Sequence, residues 1–332
     1  MVFTWIESSL AQLAELRGRL PHALLVRGPD GVGQFELAMA FAQFVLCEQP
    51  ASDGRYCQRC AACTWFEQGS HPDFRLLQPE RLMGEDDDEG EATADPKKKS
   101  DQIKIAQVRD LQRFLSVGTH RAGFRVIVVR PADAMNIPTQ NALLKSLEEP
   151  PPETLFLLVT SSPHKLLPTI RSRCQSIAVG RPDPDQAAKW LESQNIDNPM
   201  RLLALAGGAP LRALLLNESE PARRRLLEQL NDPGFDLIAA SESCLAVEPA
   251  VAVGWLQRWA YDLLSQRLAG LSRYHLTPDQ GIPAVAARCD PAKAASFLRM
   301  LAKANSLAQH PLNPRLFFED ILIQYRALIA DG

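Results

Sequence analysis

Short apolar runs with little polar alternation recur in the first half of the chain. Helical patterns separate most of the runs, and strands that alternate with helices predict a parallel sheet. HALLV, RVIVV and LFLLV suit inner strands that helices cover on both faces. The pattern predicts an α/β domain with a parallel five-stranded sheet, with strands near His22–Arg27, Phe74–Leu77, Phe124–Val129, Leu155–Thr160 and Ser176–Val179.

Strand patterns stop after Val179, and helical patterns fill the rest of the chain. The segment RPDPDQ opens a helix whose apolar side carries Ala187, Ala188, Trp190 and Leu191. A break in composition near Asn217–Pro221 precedes further helices. Two of these are predicted at Trp255–Ala269 and at Pro314–Ala330, the second starting after Asn313. We therefore expect an α/β core over residues 1–179, a small helical domain over 180–218 and a terminal helical domain over 219–332.

A strongly charged segment interrupts the first domain. Residues 83–101 read MGEDDDEGEATADPKKKSD and have no apolar periodicity. Such composition predicts a disordered insertion, here about residues 81–102. A solvated surface loop is the simpler interpretation, and a partner-binding segment is the alternative.

Composition narrows the function classes. The 332 residues are 46% hydrophobic and 23% charged, which is typical of a soluble globular protein. The formal net charge of -3 argues against coating nucleic acid by overall charge, so any DNA contact must be local or shared. No apolar run reaches the roughly 18 residues of a membrane span, and Glu7 and Glu15 lie where a signal peptide would be apolar. We expect a cytoplasmic protein without a membrane segment.

A glycine-rich segment, GPDGVGQF, lies between the first predicted strand and a helix. A phosphate-binding P-loop reads G-x-x-x-x-G-K-[ST], and Gly28, Gly31 and Gly33 agree with that frame. Gln34 replaces the lysine that reaches the phosphates, and Phe35 replaces the hydroxyl that holds magnesium. A tight turn without bound ATP is predicted. Weak anion binding by backbone N–H groups stays as the alternative.

A second departure from an ATPase lies at the end of FRVIVV. An Asp-Glu pair would bind magnesium and the attacking water there, but the chain has Arg130 and Pro131. Asp133 follows beyond the strand end and is expected to be a cap or turn residue. No intrinsic ATPase activity is therefore expected.

Four cysteines have the spacing of a metal site. Cys57, Cys60 and Cys63 form CxxCxxC, and Cys47 provides a fourth thiolate. Four thiolates suit tetrahedral Zn²⁺ and leave no open position for a reactive water, so a structural zinc is predicted. His71 is the reserve ligand. The other cysteines, Cys174, Cys244 and Cys289, lie outside this spacing.

Two long strings make the chain resemble the clamp-loader subunits of the AAA+ family. These are NALLKSLEEPP, Asn141–Pro151, and LLVTSSPHKLLPTIRSRCQ, Leu157–Gln175. The resemblance covers nearly the whole chain, and it is strongest to the non-hydrolysing stator subunits of the bacterial DNA polymerase III clamp loader. It implies a P-loop NTPase-like core, a small helical lid and a C-terminal helical collar that assembles with other subunits.

The resemblance also implies roles for single residues. In clamp-loader subunits the SRC tripeptide, here Ser172–Cys174, carries an arginine that reaches a neighbour's ATP, so Arg173 is the expected arginine finger in trans. An ordinary surface ion pair of Arg173 or Arg171 is the alternative. Thr160–Ser162 and Arg212 match the polar sensor and the lid arginine, but without nucleotide neither is expected to be functional. The family carries a zinc module at the cysteines, with one residue fewer between the first two.

The implied partners belong to a five-subunit assembly that uses ATP to open a sliding clamp and place it around primed DNA. They are motor subunits of the gamma/tau type and a clamp-opening delta-like subunit, with the clamp and primer-template DNA contacted through the complex. The terminal helices are expected to fill a bundle or, where exposed, to form the collar. Their apolar positions include Trp255, Trp259, Leu263, Leu316, Phe317 and Ile321.

Two other functions stay open. An ATP-hydrolysing clamp-loader motor with a variant P-loop would have to bind ATP·Mg tightly despite four substituted positions. A zinc-dependent DNA-binding protein would need a basic stripe beside the cysteines, where only Arg55 and Arg59 are found.

Overall fold

The computed structural model describes residues 3–83, 100–117, 119, 123–276, 281–308 and 313–329. It divides into two compact units, Met1–Arg181 and Pro182–Gly332. Buried apolar residues from Ala187 to Ile329 form one cluster, which does not divide the second unit at residue 218. The separate small domain over residues 180–218 therefore stays a prediction.

A parallel sheet of five strands organises the first unit. In chain order they are β1 Ala23–Arg27, β2 Phe74–Leu77, β3 Arg125–Val129, β4 Thr154–Thr160 and β5 Gln175–Ala178. Their spatial order is β2-β3-β4-β1-β5, which confirms the predicted sheet and makes HALLV, RVIVV and LFLLV its inner strands. Every residue of β3 and β4 is buried, so these strands show no polar alternation.

Helices surround this sheet. They are α1 Glu7–Ala14, α2 Gln34–Leu46, α3 Ala61–Glu67, α4 Ile105–Ser116, α5 Ile137–Glu148 and α6 Pro168–Arg171. Single 3₁₀ turns lie at Thr4–Ile6, Glu15–Arg19, Glu80–Leu82, Ala132–Ala134 and Pro163–Lys165. One apolar cluster joins α4 and α5 to the strands, and α2 packs against β1, β3 and β4. Asn136 caps the start of α5, since its side chain accepts a hydrogen bond from the Thr139 amide at 3.0 Å.

The predicted charged insertion is described only at its two ends. Arg81 pairs with Asp101 at 2.8 Å, and the Ser100 amide donates to Glu80 at 3.1 Å. Residues 84–99 lie outside the described residues, and so does the prediction of disorder for them.

Within the described part of the second unit, every regular element is a helix. The helices are α7 Pro184–Ser193, α8 Pro199–Leu205, α9 Pro210–Glu218, α10 Glu220–Asn231, α11 Leu237–Leu245, α12 Pro249–Ala269, α13 Ile282–Ala287, α14 Pro291–Leu307 and α15 Pro314–Ile329. Most of them have proline in the first turn, where its missing N–H costs nothing. No single helix among the described residues is long and apolar enough to cross a membrane; only α8 and α9 taken together, bent by 101°, pass by length and composition.

The core of the second unit is aromatic and aliphatic. Trp255, Trp259, Leu263 and Ile321 are buried as expected, but Leu316 is 64% exposed. The predicted start of α12 at Trp255 is wrong, because the helix already begins at Pro249. Hydrogen bonds connect three helices, since Trp259 Nε1 donates to the Tyr325 hydroxyl at 3.1 Å and that hydroxyl donates to the Leu230 carbonyl at 2.7 Å.

Candidate functional site

The glycine-rich loop connects β1 to α2 and needs its glycines for geometric reasons. A Cβ on Gly28 would lie 2.6 Å from the Val179 carbonyl oxygen, closer than real contacts allow. Gly31 and Gly33 have φ of 81° and 99°, in the left-handed region that favours glycine. The loop therefore has the backbone of a tight strand-to-helix turn that leads into α2, whatever it binds.

The two substituted P-loop positions open α2. Gln34 is buried and carries no charge. The ring of Phe35 stacks against Arg130, whose Cζ lies 3.7 Å from the ring centroid. Arg130 directly follows β3, where an ATPase carries its magnesium-binding acid. A cation–π contact thus joins the two positions that would share the metal in a motor subunit.

The charge of Arg130 persists in this partly buried place. Burial lowers the pKa of its guanidinium, while the carboxylates of Glu36 and Asp30 act in the opposite direction. Burial likewise raises the pKa of Glu36, and a backbone hydrogen bond and Arg130 oppose that shift. Because an arginine stays protonated at neutral pH, a fixed positive charge lies against the second residue of α2.

The first described residues cover the same loop. Trp5 Nε1 donates a hydrogen bond to the Val32 carbonyl at 2.9 Å. The rings of Phe3 and Trp5 stack with centroids 4.6 Å apart. A Cβ on Gly33 would lie within 3.5 Å of atoms of Phe3 and Trp5, so this segment lies directly on the turn. No spacing rule identifies this contact, and the sequence prediction missed it.

Thr160, the buried residue at the end of β4 that matches the polar sensor, forms hydrogen bonds within the first unit. The Thr160 hydroxyl donates to Asp133 at 2.5 Å and accepts a hydrogen bond from the Ser162 amide at 3.0 Å. Asp133 lies in the 3₁₀ turn Ala132–Ala134, which agrees with its expected place in a turn. These polar groups therefore bond to one another.

Arg212 lies on α9 of the second unit. Burial, followed by the nearby charge of Arg212, lowers the pKa of Arg258 on α12 to about 10. Both arginines belong to the second unit.

Arg173 lies between α6 and β5 with a partly exposed side chain. Its Nη2 pairs with Glu148 at 2.8 Å, with 36% of the arginine side chain and 46% of the glutamate side chain exposed. Its Nη1 donates to the Thr169 carbonyl at 3.0 Å. The guanidinium is thus held at the surface by one exposed carboxylate at the end of α5 and one carbonyl of α6. This geometry is compatible with both alternatives, the finger and the surface ion pair.

The four predicted zinc ligands come together. The sulfurs of Cys47, Cys57, Cys60 and Cys63 all lie within 4.8 Å of one another. Two of the distances, Cys47 to Cys60 and Cys57 to Cys63, are 4.0 Å. Tetrahedral zinc with Zn–S of 2.3 Å requires sulfurs about 3.8 Å apart, so the group fits. Backbone amides support it, since the Cys57 amide donates to the Cys47 sulfur at 3.3 Å.

The reserve ligand is not part of this group. His71 is buried, and its Nδ1 accepts a hydrogen bond from the Asp73 amide at 3.1 Å. The group contains Cys47 instead. Burial raises the thiol pKa of the remaining cysteines, to about 11 for Cys174, about 12 for Cys244 and about 11 for Cys289, as expected for packed thiols.

Sequence comparisons find similar proteins among the subunits of bacterial DNA polymerase III. The family model described as DNA polymerase III, delta subunit, matches residues 7–183. DNA polymerase III subunit delta' of Pseudomonas aeruginosa is 32% identical over 100% of this chain and 99% of its own. DNA polymerase III subunit tau of Bacillus subtilis is 32% identical over 49% of this chain and 25% of its own.

A crystal structure of a DNA polymerase III gamma subunit-related protein from Thermotoga maritima matches 96% of this chain and 99% of its own, with 18% identity and a TM-score of 0.45. The sequence matches carry the assignment, because one covers both chains almost completely and the family model covers more than half of this one. The chain belongs to the DNA polymerase III delta' subunit family.

Proposed function

We propose that this chain is the non-hydrolysing stator subunit of the DNA polymerase III clamp loader. It supports the ATP-driven opening of the sliding clamp and its loading onto primed DNA, and it donates Arg173 in trans to a neighbouring motor subunit. The observation that carries the proposal is the Phe35–Arg130 stack, with 3.7 Å between the guanidinium carbon and the ring centroid. Phe35 stands where a motor subunit has its magnesium-binding hydroxyl, and Arg130 stands where it has its magnesium-binding acid.

The absence of ATP hydrolysis follows from charge and hydrogen bonding. Gln34 lacks the lysine charge that stabilises the β and γ phosphates, and Phe35 has no oxygen for magnesium. Arg130 adds a positive charge that repels a divalent cation. These features disfavour the alternative of a motor with a variant P-loop, because that motor would need tight ATP·Mg binding at the same positions.

The trans role of Arg173 is supported by how weakly the residue is held. An exposed ion pair such as Arg173–Glu148 contributes about 0–1 kcal/mol, so exchanging Glu148 for a phosphate costs little. A guanidinium that reaches the γ-phosphate typically accelerates hydrolysis by about 10³ to 10⁵. A subunit without its own nucleotide can therefore act on the nucleotide of its neighbour.

The remaining parts of the proposal concern stability and assembly. The four cysteines would hold a structural Zn²⁺, which supplies folding energy and no reaction. Leu316 and Ile323 on α15 are 64% and 48% exposed and lie seven residues apart, hence on one face, which suits a collar that packs against other subunits. The partners would be gamma/tau-like motors and a delta-like subunit, with clamp and DNA contacted through the complex in the cytoplasm.

The test uses a reconstituted clamp loader that contains either Arg173→Ala or the matched control Arg171→Ala. We expect Arg173→Ala to lower hydrolysis at the neighbouring ATP site by at least about 100-fold and to lower clamp loading, while the complex elutes at unchanged size. The control keeps hydrolysis near the wild-type rate. Unchanged DNA-stimulated hydrolysis with Arg173→Ala would rule out the finger and leave the surface ion pair.

A further inference from the structure

Glu148, the last residue of α5, is the ion-pair partner of Arg173. Nη2 of Arg173 lies 2.8 Å from Glu148 Oε1, and Nη1 donates to the Thr169 carbonyl at 3.0 Å. Both terminal nitrogens of the guanidinium are therefore bound by groups of their own chain. These nitrogens carry the N–H groups that a phosphate would bind. Glu148 thus competes with a phosphate for the guanidinium of Arg173.

The backbones that carry this pair are fixed by buried contacts. Gln140 of α5 is 2% exposed. Its Oε1 accepts a hydrogen bond from the Leu167 amide at 2.8 Å, and its Nε2 donates to the Lys165 carbonyl at 3.3 Å. Ile170 of α6 is buried in the same apolar cluster as Leu147 of α5. The segment that leads to Arg173 is therefore held against α5, and the exposed side chains of the pair are the parts that can move.

The contact of Arg173 with Thr169 is easily given up. The Thr169 carbonyl also accepts a hydrogen bond from the Ser172 hydroxyl at 3.1 Å, so it stays bonded when Arg173 leaves. The side chain of Glu148 is 46% exposed, so water can solvate its carboxylate once the pair opens. Release of Arg173 leaves none of these groups without a partner. The charge of Glu148 is thus the main restraint on the guanidinium.

We propose that Glu148 is a positioning residue that holds Arg173 in a resting orientation and limits its action on the neighbouring nucleotide. The inference rests on the proposed trans role of Arg173 and adds a regulatory contact to it. Without DNA, Arg173 is divided between the resting and the released orientation, and only the released one stabilises the γ-phosphate. An exposed ion pair shifts such an equilibrium by up to about fivefold. The γ-phosphate carries more negative charge than one carboxylate, so it keeps the guanidinium once DNA has stimulated the complex.

The experiment measures steady-state ATP hydrolysis by the reconstituted clamp loader at saturating ATP, with and without primed DNA and clamp. The test variant is Glu148→Gln, which keeps the size of the side chain and removes its charge. The matched control is Glu149→Gln, at the next residue, which is exposed and is not the partner of Arg173. Arg173→Ala and the double variant with Glu148→Gln complete the cycle. Subtracting the rate of Arg173→Ala gives the Arg173-dependent rate, and elution size and melting temperature are checked for every variant.

We expect Glu148→Gln to raise the Arg173-dependent rate without DNA by about two- to fivefold, because release of Arg173 no longer breaks an ion pair. With DNA that rate should stay within about 1.5-fold of wild type, so the stimulation by DNA falls. The control should keep both rates, and the double variant should hydrolyse ATP like Arg173→Ala alone. A merely structural role of Glu148 would lower both rates instead.

Three results would each overturn the proposal: an unchanged or lower rate without DNA in Glu148→Gln, an equal rise in Glu149→Gln, or a rise that persists when Arg173 is absent. Arg173→Ala separates this failure from failure of the trans role. If Arg173→Ala lowers hydrolysis while Glu148→Gln lacks the expected effect, only the resting contact is wrong. If Arg173→Ala leaves hydrolysis unchanged, the trans role is wrong and the resting contact falls with it.

Discussion

The Phe35–Arg130 stack should stabilise the first unit measurably, although it replaces a catalytic arrangement. A cation–π pair contributes about 0.5–1 kcal/mol when exposed and about 2 kcal/mol when desolvated. At 3.7 Å from the ring centroid and in a partly buried place, Arg130 should lie in the upper part of that range. Phe35→Leu removes the π-system, and Arg130→Met removes the charge while keeping the stem. We expect a coupling free energy of about 1.5 kcal/mol between the two positions.

A double-mutant cycle measures this coupling. Because the chain has two compact units, unfolding of the first is read from hydrogen exchange of the α2 amides along a urea series. Each single variant should lower the local free energy of unfolding, and the double variant should lower it by less than the sum. A coupling within about 0.3 kcal/mol of zero would refute the claim that the two side chains stabilise each other.

Two further predictions concern stability. Glu220 forms ion pairs with Arg201 and with Arg223, whose side chain is only 2% exposed. Removing the charge by Glu220→Gln should therefore lower the free energy of unfolding, measured by urea denaturation, by about 3 kcal/mol. The control Glu218→Gln, at an exposed position, should change this free energy little. Burial raises the pKa of Glu220, but the two arginines lower it more, so its pKa in the folded chain lies below the ordinary value of 4.5. The stabilisation by the ionised carboxylate is therefore complete above pH 4.5 and is lost as the pH falls from there through the lower pKa of the folded chain. For the cysteine group, metal analysis should find about one zinc per purified chain. The variant Cys63→Ser should lose this zinc and melt at a lower temperature. Full zinc content in Cys63→Ser would contradict the four-thiolate site.

The sheet was predictable because its inner strands are apolar on both faces. The strands β1 and β3 lie within the predicted runs, and β4 starts one residue earlier than predicted, at Thr154. The start of α12 was missed by six residues, although Ala252 and Val253 in its first turns are fully buried. The segment Pro249–Val253 is apolar at every position, so it shows no alternation of polar and apolar residues from which a helical period could be read.

The candidate site was predictable only in part. Spacing identified Gln34, Phe35 and Arg130 as substitutions, since each falls in a fixed frame. It could not identify the contact between Phe35 and Arg130, because they are 95 positions apart and meet only through the β1–β4–β3 order of the sheet. The hydrogen bond from Trp5 to the Val32 carbonyl was missed for the same reason, because no sequence motif marks it. The cysteines were predictable because metal ligands have short, regular spacings.

The most direct test of the account is a calorimetric titration of the isolated chain with ATP in the presence and absence of Mg²⁺. Without the P-loop lysine and with Arg130 in the metal position, we expect no magnesium-dependent binding at ATP concentrations up to about 1 mM, which corresponds to less than about 4 kcal/mol of binding free energy. Any weak binding through the loop amides should be the same without magnesium. Micromolar binding that is lost when magnesium is removed would contradict the account and favour a motor subunit.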